Sequence, residues 1–165
     1  MDFHGYLNVE GVPGESTDLE HKDWITIQGF FHTVSMKVEM CDNGTKQAKK
    51  SDHGQFKVEK MIDVTTPTLS LYCSKGYFIR NVKVNICRNI AKKSVPCMQY
   101  EMKDVFITKV SQQGRADGKG ENMPFEEVTF DYGKIVWIYT QTDQETGARK
   151  NVVETNWNTI KNIQD

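Results

Sequence analysis

Apolar residues along this chain recur mainly at every second position, the period of a strand with one face turned to a core. Across residues 81–88, Val82, Val84 and Ile86 share one face while Asn81, Lys83 and Asn85 share the other, which predicts a half-buried strand. Val128, Phe130 and Tyr132 alternate with Glu127, Thr129 and Asp131, and after Gly133 a second set begins with Ile135, Trp137 and Tyr139. The glycine between the two sets predicts a hairpin that turns at or near Tyr132 and Gly133. Val136 and Ile138 are apolar too, so the later strand is expected to be covered on both faces. Residues 56–60 and 98–102 read as further alternating strands. Between Trp24 and His32 the parity slips: Ile25 and Ile27 set one register, and Phe30 and His32 continue on the other. A bulge at Gln28 and Gly29 repairs this, with Ile25, Ile27 and Phe30 entering the core and Phe31 pointing out. A flat strand with two apolar faces is the alternative.

One segment carries helical spacing. Thr66 offers an N-cap oxygen, Pro67 fits the first helical position, and Gly76 can close the end. Leu69, Tyr72 and Cys73 form a narrow apolar face, too short to stand without a sheet to pack on. Residues 16–22 are expected to make a single helical turn, with Thr17 and Glu20 at capping-box spacing. Two stretches lack a core pattern, 36–55 and 111–121, and are expected to be long loops on one β-rich domain covering residues 1–165. No internal repeat or linker interrupts it.

Composition narrows the function. A chain of 165 residues makes one domain with a real core. Its 21 Lys and Arg against 22 Asp and Glu leave a net charge of -1, which argues against a general nucleic-acid binder. No stretch approaches the ~18 apolar residues of a membrane span, and the N-terminus lacks a secretory pattern. Cys41, Cys73, Cys87 and Cys97 form no Cys-x-x-Cys pair and are expected to be buried, reduced thiols. His4, His21, His32 and His53 have no metal-ligand spacing, and no phosphate loop or nucleophile motif is present, so no catalytic residue, cofactor or metal is expected. Asn43-Gly44-Thr45 matches a glycosylation sequon but reads as a turn.

Charge is distributed unevenly. Residues 10–23 hold five acids, among them Glu15, Asp18 and Glu20, against Lys22 alone. Residues 46–60 hold five lysines, among them Lys46, Lys49 and Lys50, against Asp52 and Glu59. Patches of opposite sign can steer head-to-tail contact between identical copies. Two unrelated solvated faces would show the same pattern.

Gly14-Glu15-Ser16, then His21 and Trp24-Ile25, resembles the opening of the haemolysin-coregulated (Hcp) family of the type VI secretion system. The run Thr66-Pro67, Leu69 and Cys73-Ser74-Lys75-Gly76 is similar to that family's single-helix segment. Gly133-Lys134-Ile135-Val136-Trp137-Ile138-Tyr139, with Gln141, Gly147 and Trp157, is similar to its closing signature. The resemblance implies a two-sheet β-barrel with one short flanking helix and a long extended loop, here 36–55. It further implies hexameric rings stacked into a tube, driven out of the cell by a contracting sheath behind a spike. Small effector proteins would ride in the lumen. Such a protein is cytoplasmic before assembly and leaves without a signal peptide, neither inserting in a membrane nor binding nucleic acid. On this reading Glu15, Asp18 and Glu20 face Lys46, Lys49 and Lys50 of another copy between stacked rings, and Phe31 faces the lumen and its cargo. A β-sandwich module for a ligand or carbohydrate is the alternative from another class, and a cysteine-dependent hydrolase a third.

Overall fold

The computed structural model describes residues 3–114, 116 and 124–165. Ten strands and one helix follow in order: β1 (His4–Val9), β2 (Ile25–Ile27), β3 (Gly29–Phe31), β4 (Val34–Met40), β5 (Lys46–His53), β6 (Phe56–Met61), α1 (Thr66–Lys75), β7 (Ile79–Ile90), β8 (Lys93–Gln113), β9 (Phe125–Thr142) and β10 (Arg149–Asn158). The main sheet runs β2-β1-β7-β8-β9-β6-β3, with β10 also paired to β9, while β4 and β5 form a second sheet of their own. This is the mainly β, two-sheet architecture with one helix that the resemblance implied.

Chain connectivity forces the main sheet to curl. β2 and β3 lie at opposite ends of the strand order, yet only Gln28 separates them. The two ends must therefore meet, and Gln28 ties them. Its N–H donates to Glu59 O (2.8 Å), and its Oε1 accepts from the Met61 N–H (3.0 Å). The facing predicted around the parity slip holds, because Ile25 and Ile27 are buried, Phe30 packs on the core and Phe31 is 58% exposed. The device is a change of partner strand, from β1 to β6, at Gln28. The enclosed core includes Leu7, Ile25, Phe56, Val58, Val84, Met102, Phe130 and Ile135.

The hairpin expected at Tyr132 and Gly133 does not form. β9 runs straight through them, paired with β8 on both sides of the position where Gly133 faces Asp104. There both strands bend. Asp104 adopts φ 55°, and the inward set changes from Tyr100 and Met102 to Val105 and Ile107, and from Phe130 and Tyr132 to Ile135. A Cβ on Gly133 would come within 3.1 Å of Asp104 Cβ and 2.9 Å of Ile160 Cδ1. The glycine therefore marks a bend where two strands and the C-terminal segment crowd together. The later half of β9 buries Ile135 and Val136 on opposite sides, as expected, but leaves Tyr139 exposed.

α1 starts and ends where predicted, with a different cap. Thr65 is the N-cap residue, and Thr66 instead donates its hydroxyl to Glu126 Oε1 (2.8 Å). Asp63 Oδ1 accepts from the Thr65 N–H (2.8 Å) and hydroxyl (2.5 Å). Gly76 closes the helix in the left-handed region at φ 60°. Leu69 is buried, with Tyr72 and Cys73 packed on the core beside it. Lys60, inward on β6, is 0% exposed and pairs with the equally buried Glu126 and with Asp63 (3.0 Å), so one ionic cluster joins β6, β9 and the helix start.

The turn expected at 16–22 is not helical. Ser16 Oγ accepts from the Asp18 N–H (3.3 Å), and Asp18 Oδ2 accepts from the Glu20 N–H (3.3 Å), which makes successive side-chain-closed bends in place of a capping box. Of the second expected loop, Ser111 to Gln113 complete β8, and much of the remainder lies outside the described residues.

Candidate functional site

The stretch 36–55, expected as an extended loop, is a β-hairpin arm. β4 and β5 pair from Val34 and His53 to Met40 and Lys46. They turn through Asn43 and Gly44, the latter at φ 82°, and Asn43 Oδ1 accepts from the Thr45 N–H (3.0 Å) and hydroxyl (2.6 Å). Alternation in β4 sorts the arm into two faces. Val34, Met36, Val38 and Met40 line one, 47–70% exposed. Lys37, Glu39 and Lys49 mark the other, where Glu39 bridges both lysines at 3.1 and 3.2 Å. A register shift between Met36 and Val38 places Lys49 and Lys50 opposite Lys37, a bulge that crowds positive charge at mid-arm. Among the described residues no third strand covers the apolar face. A two-stranded ribbon with a bare apolar face is marginal by itself.

The arm is rooted in aromatic rings. His32 packs among Phe56, Tyr100, Tyr132 and Trp137, and its Nε2 accepts from the Trp137 indole N–H (3.2 Å). His53 stacks on Trp157 at 5.8 Å and on Trp137 at 6.1 Å. Tyr132 donates its hydroxyl to Gly54 O (2.9 Å), which secures the return strand. Burial holds His32 down at about 4, with His53 adding repulsion, and burial lowers His53 as well. Both rings are therefore neutral near pH 7. Sequence spacing missed this cluster, because its members come from five separate segments.

The acidic segment 10–23 folds back over β1 and β7 and is pinned by a buried histidine. His21 is 1% exposed, stacked on Tyr6 at 4.2 Å with Trp24 edge-on at 5.0 Å. Asn85 Nδ2 donates to its Nε2 (3.0 Å), which leaves Nδ1 to donate to Asp18 Oδ2 (3.2 Å). Asn85, expected on the solvent face of its strand, is thus buried to serve this latch. Cys87 Sγ lies 3.9 Å from His21 Nε2, giving a Cys–His–Asp set. Burial pushes that thiol up to about 12, so at neutral pH it stays protonated, the opposite of what a nucleophile needs. The other three cysteines are half-buried rather than buried, and all four are free thiols.

The residues singled out in the sequence divide between surface and scaffold. Glu15 and Glu20 are exposed, and Leu19 between them is 95% exposed. Asp18 is committed to His21. Lys46 and Lys50 project from the arm without a carboxylate partner among the described residues, whereas Lys49 is held by Glu39. Lys57 pairs with Glu127 (3.8 Å) and Lys60 is internal, so the basic patch is confined to the arm. Among the described residues no ion pair within the chain joins the acidic segment to the arm.

Comparison with known proteins places these features. The family model described as type VI secretion system effector, Hcp, matches residues 6–139. Protein hcp1 of Pseudomonas aeruginosa is 27% identical over 160 residues, spanning 96% of both chains. A solved type six secretion system protein superposes with a TM-score of 0.88 at 25% identity over 99% of each chain. Hcp1 from Salmonella typhimurium has the same fold, with a TM-score of 0.80 at 21% identity over 100% of each chain. The early Gly-Glu-Ser segment, α1 and all of β9 but its last three residues lie within the matched region, and the chain belongs to the Hcp family of the type VI secretion system.

Proposed function

We propose that this protein is a tube subunit of the type VI apparatus: six copies close into a ring around a lumen, and rings stack into a tube that a sheath drives outward with its spike. It acts in the cytoplasm until assembly and leaves through the apparatus, with small effector proteins carried inside the ring. Its role is structural, with no chemistry asked of its side chains.

The single observation that carries this reading is the arm. Among the described residues nothing covers its face of Val34, Met36, Val38 and Met40, and a bare apolar ribbon of this kind marks a protein–protein contact. The charges match a second copy: Lys46 and Lys50 on the arm of one subunit, Glu15 and Glu20 flanking the protruding Leu19 on another. A heterologous contact of this type repeats around a ring or along a stack. Phe31 offers an exposed aromatic on β3 for lumenal cargo. Light scattering and electron microscopy across a concentration series test the assembly. Rings or short tubes are expected, and a chain that stays monomeric at every concentration sinks the reading. Retention of effector by Phe31→Asp rings at the wild-type level removes Phe31 from the cargo surface.

A further inference from the structure

Where β8 and β9 bend, an open cleft of 570 Å³ lies between Phe78, just ahead of β7, and the segment that follows β10. Phe78, Phe106 and Ile160 supply its apolar lining, the two rings 5.7 Å apart and tilted 66° to each other. These side chains are 47%, 40% and 74% exposed, so an incoming group can touch them. The Ile160 side is anchored through its neighbour. The Thr159 N–H donates to Gly133 O (2.9 Å), and its hydroxyl lies 3.0 Å from both Tyr132 O and Gly133 O.

Two carboxylates complete the lining, Asp104 and Asp131, both exposed and neither in an ion pair among the described residues. Phe106 and Asp131 are partners across β8 and β9, while the adjacent Val105 and Tyr132 are buried in the core. Alternation therefore puts ring and carboxylate side by side on the solvent face. Asp104 reaches the cleft by another route. The register sets it opposite Arg80, between the pairs Ile79–Val105 and Asn81–Lys103, yet no ion pair joins the two. At φ 55° its side chain lies over Gly133 instead, with Oδ2 3.5 Å from where a Cβ on that glycine would sit. Backbone held in this region is a feature of binding sites.

This lining selects its occupant. Carboxylates without a cation among them repel an anion, and apolar walls offer little to a strongly hydrated ammonium. A guanidinium suits both, because it is planar and weakly hydrated, stacks on an aromatic face, and presents five donors to carboxylates. The volume falls within the ~300–1,000 Å³ of ligand clefts, which leaves room for residues flanking one side chain. We propose that this cleft docks an arginine of a partner protein, its guanidinium against Phe106 and the carboxylates of Asp104 and Asp131, with an apolar neighbour against Ile160. The cleft is built within one subunit, so the inference stands apart from the ring and tube reading.

The Ile160 δ1-methyl resonance is the probe, visible in ring or monomer and assigned by its loss in Ile160→Val. Titration with the tripeptide acetyl-Leu-Arg-Leu-amide is expected to move it saturably. The citrulline version of that peptide keeps the shape and loses the charge, and should bind about tenfold more weakly; the lysine version should bind about fivefold more weakly. Asp131→Asn and Asp104→Asn should each weaken the arginine peptide about threefold to fivefold. Phe106→Leu keeps apolar bulk but removes the ring, and should cost about threefold. Equal midpoints for arginine and citrulline, or for arginine and lysine, overturn the proposal. So does a methyl resonance unmoved by any peptide in protein whose spectrum stays dispersed. A shift that appears on concentrating the protein without peptide, and that is lost in Asp131→Asn, gives the cleft to a second copy and overturns the separate partner.

Discussion

Lys60 is a cation where strand alternation asks for an apolar residue. Phe56 and Val58 precede it on the inward face of β6, and its ammonium is neutralised there by Glu126 and Asp63 while also donating to Met61 O (2.9 Å). Removing one partner strands a buried charge, so Lys60→Met should cost about 3–5 kcal/mol in urea denaturation. Replacing both, as Lys60→Met/Glu126→Leu, should recover most of that loss, since a packed apolar pair substitutes well for a buried ion pair. A single variant as stable as the double would mean that solvent reaches the cluster. His32 makes the second prediction at this scale. Its folded value, about 4, lies below the unfolded value of 6.5, so its contribution is intact above pH 6.5 and is lost as pH falls from 6.5 through 4. At 1.36 kcal/mol per unit this is at most about 3 kcal/mol, which partial solvent screening reduces to about 1–2 kcal/mol. His32→Gln, which keeps an acceptor for the Trp137 indole, should flatten the acid limb of a stability–pH curve. An unchanged limb would assign acid sensitivity to other groups.

At the scale of elements, what could be read from the chain depended on whether a residue's surroundings are local. Alternation located β6, β7 and the two halves of β9, and capping residues located α1, because those signals lie within a few positions. Gly133 misled because a glycine between alternating runs looks like a turn, yet here it lets β9 bend against Asp104 and Ile160. Gly133→Ala should cost about 1–3 kcal/mol, the usual penalty for overpacking, and Ile160→Ala should relieve part of it. Equal stability of Gly133→Ala and wild type would show that the bend has slack. The arm was hidden in part, for another reason. β4 does alternate, Val34, Met36, Val38 and Met40 against Ser35, Lys37 and Glu39, and was legible; its partner β5 reads Lys-Gln-Ala-Lys-Lys-Ser-Asp-His and carries no alternation to mark it as a strand. The latch was equally invisible: His21, Asn85 and Cys87 meet only because β1 pairs with β7. Phe31, by contrast, followed from parity alone. The proposed pairing of Glu15 and Glu20 with Lys46 and Lys50 would be made between copies, so no spacing within one chain encodes it.

At the scale of the whole molecule, a net charge of -1 conceals two surfaces of opposite sign. Their separation on one subunit has a consequence that a uniform surface would lack. Between identical copies, an approach that brings the unlike patches together would be favoured over one that brings like patches together, so head-to-tail order is the arrangement this charge separation would steer. Among the described residues Lys46 and Lys50 are the lysines of the 46–60 segment without a carboxylate partner, because Lys49, Lys57 and Lys60 each have an acid of their own. Lys46→Glu/Lys50→Glu should therefore slow association and weaken it at low salt, leaving the unfolding midpoint of the isolated subunit close to wild type. Adding Glu15→Lys/Glu20→Lys should restore assembly in the same protein, since the complementary signs are then exchanged rather than lost. At about 1 M salt, where the screening length falls to ~3 Å, the charge variants should converge on wild type, because the apolar arm face and Leu19 supply what remains. Sedimentation velocity at several salt concentrations separates these outcomes. If reversal at the arm alone leaves assembly and its salt dependence unchanged, the two patches do not meet and the stacking contact lies elsewhere on the barrel.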